Sequence, residues 1–80
     1  MDNLDTLLKV AKLSHIEVRT EKLRGATSGG FCHLGGKPVV FLNRDHKRNV
    51  RAQVLHRALD EARDQGVVLW EPEVDPPPER

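Results

Sequence analysis

The chain has 80 residues, and its 13 Lys/Arg and 12 Asp/Glu leave a formal net charge of +1, which excludes a dedicated DNA-binding domain of strongly basic type. A single cysteine, Cys32, excludes an internal disulfide framework, and no apolar run approaches the ~20 residues that a membrane span needs. A domain of this length buries only about 60% of its unfolded surface. The N-terminus has no leader of the signal-peptide type, so we expect a cytoplasmic protein.

The charges are unevenly distributed along the chain. Residues 1–66 carry twelve Lys/Arg against eight Asp/Glu, whereas residues 67–80 carry one Arg against four acids. The last nine residues contain four prolines and little apolar surface, which is typical of a mobile, polyproline-like segment. We therefore predict one domain over residues 1–71, followed by a Pro- and acid-rich tail over residues 72–80.

The first predicted element is an amphipathic helix that Asp2 or Asn3 can cap. Its apolar residues recur at i, i+3, i+4 and i+7, the spacing of one helix face. They are Leu4, Leu7, Leu8 and Ala11. From residue 16 to 23, apolar residues or Thr alternate with charges, which predicts a first strand that is solvated on one side. A loop of small residues follows over residues 24–30.

A glycine pair predicts a hairpin between the second and third strands. Gly35-Gly36 provides the positive φ angles of a two-residue turn after the short strand Phe31–Leu34. Four consecutive large apolar residues follow, and side chains alternate between the faces of a strand. The third strand therefore presents Val39 and Phe41 to one face and Val40 and Leu42 to the other. Because both faces need cover, we predict this strand to be central.

A second, longer helix is predicted over residues 45–65, with Asp45 as its N-cap and Gly66 as a left-handed C-terminal cap. Val67–Trp70 is predicted to be a short extended strand. The predicted fold is α+β: a helix, a three-stranded and largely antiparallel sheet, a long helix and a short C-terminal strand. Two helices on one sheet face leave the other face for Trp70, the tail or another protein, and exposed apolar faces are often contact sites.

The order of these elements and two short runs resemble a known family. Gly-Gly-Lys-Pro-Val-Val-Phe-Leu-Asn over residues 35–43 precedes Arg-Ala-Gln-Val-Leu-His over residues 51–56. Over residues 4–62 this arrangement resembles the front half of the ImmA/IrrE-type zinc metallopeptidase domain. The resemblance implies a His-Glu-x-x-His motif on the second helix, where both histidines bind zinc and the glutamate activates water.

The motif is degenerate in this chain, which reads His-Arg-Ala-Leu-Asp from residue 56. His56 matches the first zinc ligand and Asp60 is a possible replacement for the second. Arg57 stands in place of the glutamate, and an arginine cannot act as a general base at neutral pH. His33 is a further metal candidate, but Cys32 points to the opposite strand face, so at most one of the two can point at His56. The resemblance therefore implies a truncated relative without peptidase activity, and no cofactor is expected.

Four basic residues crowd the predicted start of the second helix. They are Arg44, Lys47, Arg48 and Arg51. Because the helix dipole favours acids at this position, a sequence chosen for stability alone would place other residues there. Exposed helix N–H groups beside arginines suit a site for phosphate or for an acidic protein surface. The alternative is a solvated polar face with Asp45 as its counterion.

Two classes of function remain open. The first is a small non-catalytic protein-interaction or regulatory module, whose partner is another protein or a second copy of the chain. The second is a degenerate metallopeptidase-like domain that retains a metal or anion site. We expect no membrane partner. Nucleic acid is also not expected, because the chain has no Tyr, and both Phe31 and Phe41 lie in predicted core strands.

Overall fold

The computed structural model describes residues 3–23 and 29–71. The elements in chain order are α1 (Leu4–Leu13), β1 (Glu17–Glu21), β2 (Gly29–Leu34), β3 (Lys37–Asn43) and α2 (Arg48–Asp64). Two helices pack against a three-stranded sheet, which confirms the predicted α+β class and the order of these elements. The predicted tail over residues 72–80, the helix cap at Asp2 and most of the predicted small-residue loop lie outside the described residues.

The sheet has the strand order β1-β3-β2, so the third strand is central, as predicted. β2 and β3 form an antiparallel hairpin whose turn residues, Gly35 and Gly36, have φ angles of 58° and 83°. β1 pairs with β3 in the parallel direction, which makes the sheet mixed rather than largely antiparallel. The two-residue turn constrains only the hairpin, whereas the direction of β1 depends on where α1 packs.

The hydrophobic core lies between the helices and one face of the sheet. Val40 and Leu42 of β3 point into it, with Val18 and Phe31 beside them on the flanking strands. Full burial of a Val or Leu side chain is worth about 1.5–3 kcal/mol, so this layer carries much of the stability. The helices and their flanking residues contribute the remaining buried side chains: Leu4, Leu7, Ala11, Ile16, Ala52, Leu55, Ala58, Leu59 and Ala62.

Both helices end in the same C-terminal motif. After α1, the Ile16 N–H donates to the Ala11 carbonyl at 2.9 Å, and His15 between them has a φ of 62°. After α2, the N–H of residue 67 donates to the carbonyl of residue 62 at 3.0 Å, and Gly66 has a φ of 96°, which confirms the predicted left-handed cap. In each motif the apolar residue after the cap returns to the core, as buried Ile16 shows.

The start of α2 differs from the prediction. The N-cap is Lys47 rather than Asp45, and no side chain caps this helix end through a hydrogen bond. The Asp45 N–H instead donates to the Asn43 side-chain oxygen at 3.0 Å, and the His46 N–H donates to the Asn43 carbonyl at 3.1 Å. These hydrogen bonds hold the residues after β3 in a turn, so the helix begins later than the apolar pattern indicated.

The segment after α2 is not a strand, so that part of the prediction is wrong. The Trp70 N–H donates to the Ser14 Oγ at 2.7 Å, and this hydroxyl donates to the Val10 carbonyl at 2.6 Å. Val67 and Leu69 pack against the core. Trp70 is therefore attached to the end of α1 by a hydrogen bond to a side-chain oxygen rather than to a strand partner, and Val68 stays 85% exposed.

Across the described ranges, no helix is both long enough and apolar enough to span a membrane.

Candidate functional site

The sheet has an open face, which is the face directed away from the two helices. Cys32 and Leu34 of β2 and Val39 and Phe41 of β3 carry its apolar side chains, and we call these four residues the open-face patch. They are neighbours because Cys32 lies opposite Val39, and Leu34 lies two residues further along the same strand. The core cluster that the helices share with the sheet includes none of them. Val39 and Phe41 thus lie on the face opposite Val40 and Leu42, as predicted.

The open-face patch has a closed centre and an accessible border. Val39 in the middle of the patch is only 2% exposed. Cys32 and Phe41 are half-buried, and Leu34 is 45% exposed. The Trp70 backbone N–H is bonded to Ser14 at the end of α1, and α1 packs on the other face of the sheet. Within residues 3–23 and 29–71, the patch therefore lacks a helix or strand packed over it.

A row of charges on β1 borders the open-face patch. Glu17, Arg19 and Glu21 lie opposite Val39, Phe41 and Asn43, so they share the open face. The Arg19 Nε lies 3.1 Å from the Glu21 carboxylate and 3.7 Å from that of Glu17, and its guanidinium lies 5.8 Å from the Phe41 ring centroid. Exposed ion pairs of this kind are worth at most about 1 kcal/mol. An apolar centre with a charged rim is the usual anatomy of a protein interface.

The four predicted basic residues meet at the beginning of α2, but they are not equivalent. The Arg44 N–H donates to the Glu21 carbonyl at 2.8 Å, which extends the contact between β1 and β3. The Arg48 Nη2 donates to the Asp5 carboxylate at 3.1 Å and ties α2 to α1. The first turn of α2 contains no acid. Part of this cluster therefore has a structural role.

Two side-chain nitrogens near the start of α2 are buried without a hydrogen-bond partner in the described part of the chain. They are the Arg51 Nε and the His46 Nδ1. A buried polar nitrogen without a partner costs about 1–3 kcal/mol, so each of these atoms has hydrogen-bonding capacity that the described residues do not use. This observation keeps the predicted anion site at Arg51 as a hypothesis.

The metal candidates lie on different elements. The His56 Nδ1 and an Asp60 carboxylate oxygen are 3.5 Å apart on one exposed face of α2, and Asp60 also accepts a hydrogen bond from Arg63 at 3.2 Å. His33 lies on β2 and contacts the Phe31 ring edge-on, with 5.0 Å between the ring centroids. Over the ranges that the structure describes, no three His, Cys, Asp or Glu side chains are grouped to hold a metal.

Two features were missed by the sequence prediction. Leu34 belongs to the open-face patch, and its position two residues after Cys32 is the signal that could have placed it there. The second feature is an open cleft of about 700 Å³ between α1 and the beginning of β1. The left-handed turn at His15 forms part of its wall, and the sequence has no local signal for such a turn at histidine. The cleft is lined by Leu8, Lys12, His15, Ile16, Glu17, Val18 and Lys37.

The fold and these surfaces define a small α+β domain with two helices on one face of a mixed three-stranded sheet. No protein-family model, no curated protein and no solved structure matches the chain. The resemblance to ImmA/IrrE-type domains stays a prediction. The open face of the sheet and the start of α2 are therefore the two candidate sites.

Proposed function

We propose that this protein is a non-catalytic protein-interaction module and that the open face of its sheet is the binding surface. The observation that carries the proposal is the open-face patch, whose Leu34 and Phe41 stay accessible although the core on the other face is closed. An apolar cluster with a polar border is what a protein contact site requires. The charged row on β1 forms such a border.

The energetics favour a contact at this face. Burial of a Leu or Phe side chain that was exposed is worth about 1.5–3 kcal/mol, so a partner that covers the accessible border gains affinity from a few residues. Arg19 adds a contact of its own, because its guanidinium already lies over the Phe41 ring. Covering this pair would remove it from water and strengthen the attraction between the cation and the ring.

A site-specific photo-crosslinking experiment tests the proposal. Phe41 is replaced in the full chain by photoreactive benzoylphenylalanine, and the adducts formed in cells are identified by mass. Gln53, exposed on α2, carries the same probe as the matched control. We expect protein adducts from position 41 and none of the same mass from position 53. Equal adducts from both positions, or none from position 41, would contradict the open face as the binding surface.

A second candidate function is a degenerate metallopeptidase-like domain that retains an anion site. The Arg51 Nε has no hydrogen-bond partner among the residues that the structure describes, and it lies beside a helix start without an acid, which favours an anion site. Inorganic phosphate, titrated into the protein and followed by amide NMR shifts, is expected to shift the first turn of α2. The shifts should be lost in Arg51→Gln and kept in Arg63→Gln, which changes an exposed arginine at the other end of α2.

Metal content tests the remaining part of the second candidate. Protein purified without an affinity tag is analysed for zinc in the wild type and in His56→Ala. Stoichiometric zinc that is lost in the variant would support a retained metal site and would contradict the interaction module as the whole function. Zinc below stoichiometry in both proteins would contradict a retained metal site.

A further inference from the structure

We propose that this chain also binds a second copy of itself and that the two copies join edge to edge through an antiparallel pair of β2 strands. This inference rests on the proposed function and extends it: the contact lies at the β2 edge, and it joins the two open faces into one larger binding surface without covering them. The two three-stranded sheets would become one continuous sheet around a two-fold axis, with the helices of both copies on the same side. The two open-face patches would then lie next to each other.

The two edges of the sheet differ in their protection against strand pairing. β1 carries Glu17, Arg19 and Glu21 among its five residues, and charged side chains are a common protection of edge strands. Two copies of β1 paired around Arg19 would also place like charges opposite each other. β2 contains no Asp, Glu, Lys, Arg or Pro, and among the described strands only β3 pairs with it. β2 is therefore the edge that accepts another strand.

The backbone of β2 sets which residues pair across the axis. In an antiparallel ladder, alternate residues direct their N–H and C=O groups to opposite sides. Leu34 and Lys37 flank the two-residue turn as an opposed pair, so the two residues nearest the turn whose groups point away from β3 are His33 and Phe31. An axis at Cys32 brings Phe31 of one copy opposite His33 of the other. Both outward residues thereby gain backbone partners.

Side chains on the open face fit the same register. With the axis at Cys32, Leu34 of one copy lies opposite Gly30 of the other. A Cβ atom at Gly30 would meet nothing within 4 Å, and Gly30 is the neighbour of Phe41 on β3. Leu34, which is 45% exposed, would fill this space beside the phenylalanine ring. One strand therefore carries both the projecting side chain and the gap that receives it, which is the self-complementarity a two-fold contact requires.

Cys32 serves as a reporter of this arrangement. The Cys32 thiols of the two copies would lie opposite each other as a non-hydrogen-bonded pair, in which the Cα atoms are about 4.5 Å apart. That separation lies within the range a disulfide or a short cross-linker can bridge. The thiol has no other role in the proposal, and the contact between the copies does not depend on a covalent bond.

The experiment measures the mass of the full chain in reducing buffer by light scattering over a range of concentrations, together with thiol cross-linking by a short bis-maleimide. We expect a species of twice the 9.0 kDa chain mass and a dimer cross-linked through Cys32. Leu34→Lys should raise the dimer Kd by at least about tenfold. Val68→Lys introduces the same charged side chain at an apolar residue that is 85% exposed and outside the sheet, and should leave the Kd unchanged. Cys32→Ser should keep the dimer and lose the cross-link.

Three results would overturn the proposal: a monomer at all concentrations up to about 1 mM, equal Kd values for Leu34→Lys and Val68→Lys, or a dimer that does not cross-link through Cys32. Circular dichroism checks that Leu34→Lys is folded. If this variant does not fold, cross-linking of the wild-type protein through Cys32 tests the dimer instead. Failure of the dimer leaves the proposed function standing when the probe at position 41 still yields adducts with another protein. Loss of all adducts at position 41 removes the proposed function itself.

Discussion

His15 adopts a backbone conformation that few residues other than glycine adopt. Its φ of 62° allows the Ile16 N–H to reach the Ala11 carbonyl, and this contact turns the chain so that Ile16 is 3% exposed. A non-glycine residue in the left-handed region costs about 1–2 kcal/mol. Burial of Ile16 and the hydrogen bond that closes the helix end offset that cost, so these neighbouring contacts stabilise the left-handed conformation of His15.

Glycine at this position should stabilise the protein. We expect His15→Gly to raise the free energy of unfolding by about 0.5–1 kcal/mol, because the removal of Cβ strain outweighs the extra freedom of the unfolded chain. Urea denaturation measures the change. His15→Ala is the control and should bring no gain, because alanine retains Cβ. Equal stabilities for the glycine and alanine variants would show that the left-handed turn carries no strain.

Side-chain directions were largely predictable at this scale, whereas special backbone conformations were not. Alternation along the third strand was sufficient to separate Val39 and Phe41 from Val40 and Leu42. The turn at His15 depends on burial of the next residue, which a local pattern does not contain. Asp45 has a side chain suited to an N-cap, but its N–H is bonded to the Asn43 side chain in a turn. Asp and Asn are favoured both in turns and at N-caps, so the sequence alone does not decide between the two positions.

At the level of elements, the start of α2 lacks the usual stabilising features of a helix N-terminus. Its N-cap, Lys47, has no side-chain acceptor for the first helical N–H groups, and the first turn contains no acid. Lysine also opposes the positive end of the helix dipole. The helix is therefore held at this end by tertiary contacts, of which the hydrogen bond between Arg48 and Asp5 is one.

An acid at the N-cap should correct this defect. We expect Lys47→Asp to raise the free energy of unfolding by about 1 kcal/mol through a cap hydrogen bond and a better match to the dipole. Chemical denaturation provides the measurement. Gln53→Asp places the same acid at an exposed position within α2, where it should destabilise slightly. If Lys47→Asp gave no gain, the helix N–H groups would already be satisfied.

The elements with strong local signals were predictable, and those that depend on distant contacts were not. The Gly35-Gly36 pair specified the hairpin, because two positive φ angles in sequence allow few other turns. Val67–Trp70 has the composition of a strand, yet Ser14, far away in the sequence, accepts the hydrogen bond of Trp70. The parallel direction of β1 likewise has no local signal, because the packing of α1 sets it.

At the scale of the molecule, the hydrophobic cluster that includes both helices lies on one side of the sheet in the described part of the chain. Leu55 of α2 is fully buried in the cluster that contains Val40 and Leu42, whereas Phe41 on the open face is half-buried. A small domain has a total stability of about 5–15 kcal/mol, so the loss of one core side chain is a large fraction of it. The two sheet faces should therefore respond very differently to truncation.

Paired truncations measure this difference. We expect Leu55→Ala to lower the free energy of unfolding by about 2–5 kcal/mol, because it leaves a cavity in the core. Phe41→Ala should cost less than about 2 kcal/mol, although it removes a larger side chain, because part of that surface is already in contact with water. Thermal and urea denaturation of dilute protein supply both values. An equal cost for the two variants would make the open face structural and remove the main support for a binding role.

At this scale the sequence predicted a sheet face that the helices leave uncovered, from the two-sided apolar pattern of β3 alone. It did not identify the occupant of that face. The side chains of a different protein partner cannot be inferred from the sequence of this chain. The sequence contains information about a partner only where the chain is complementary to itself, as Leu34 is to the space at Gly30. The candidate anion and metal residues stay predictions for the same reason.

The strand order has a consequence for how the protein is made. Among the described strands, β1 pairs only with β3, and β3 is synthesised after β2. During synthesis, β1 therefore has no described strand to pair with until the chain has been made as far as Asn43, and such non-local pairing is slow to form. A chain interrupted after Gly36 is expected to remain unfolded, and quality-control proteases should clear such fragments quickly.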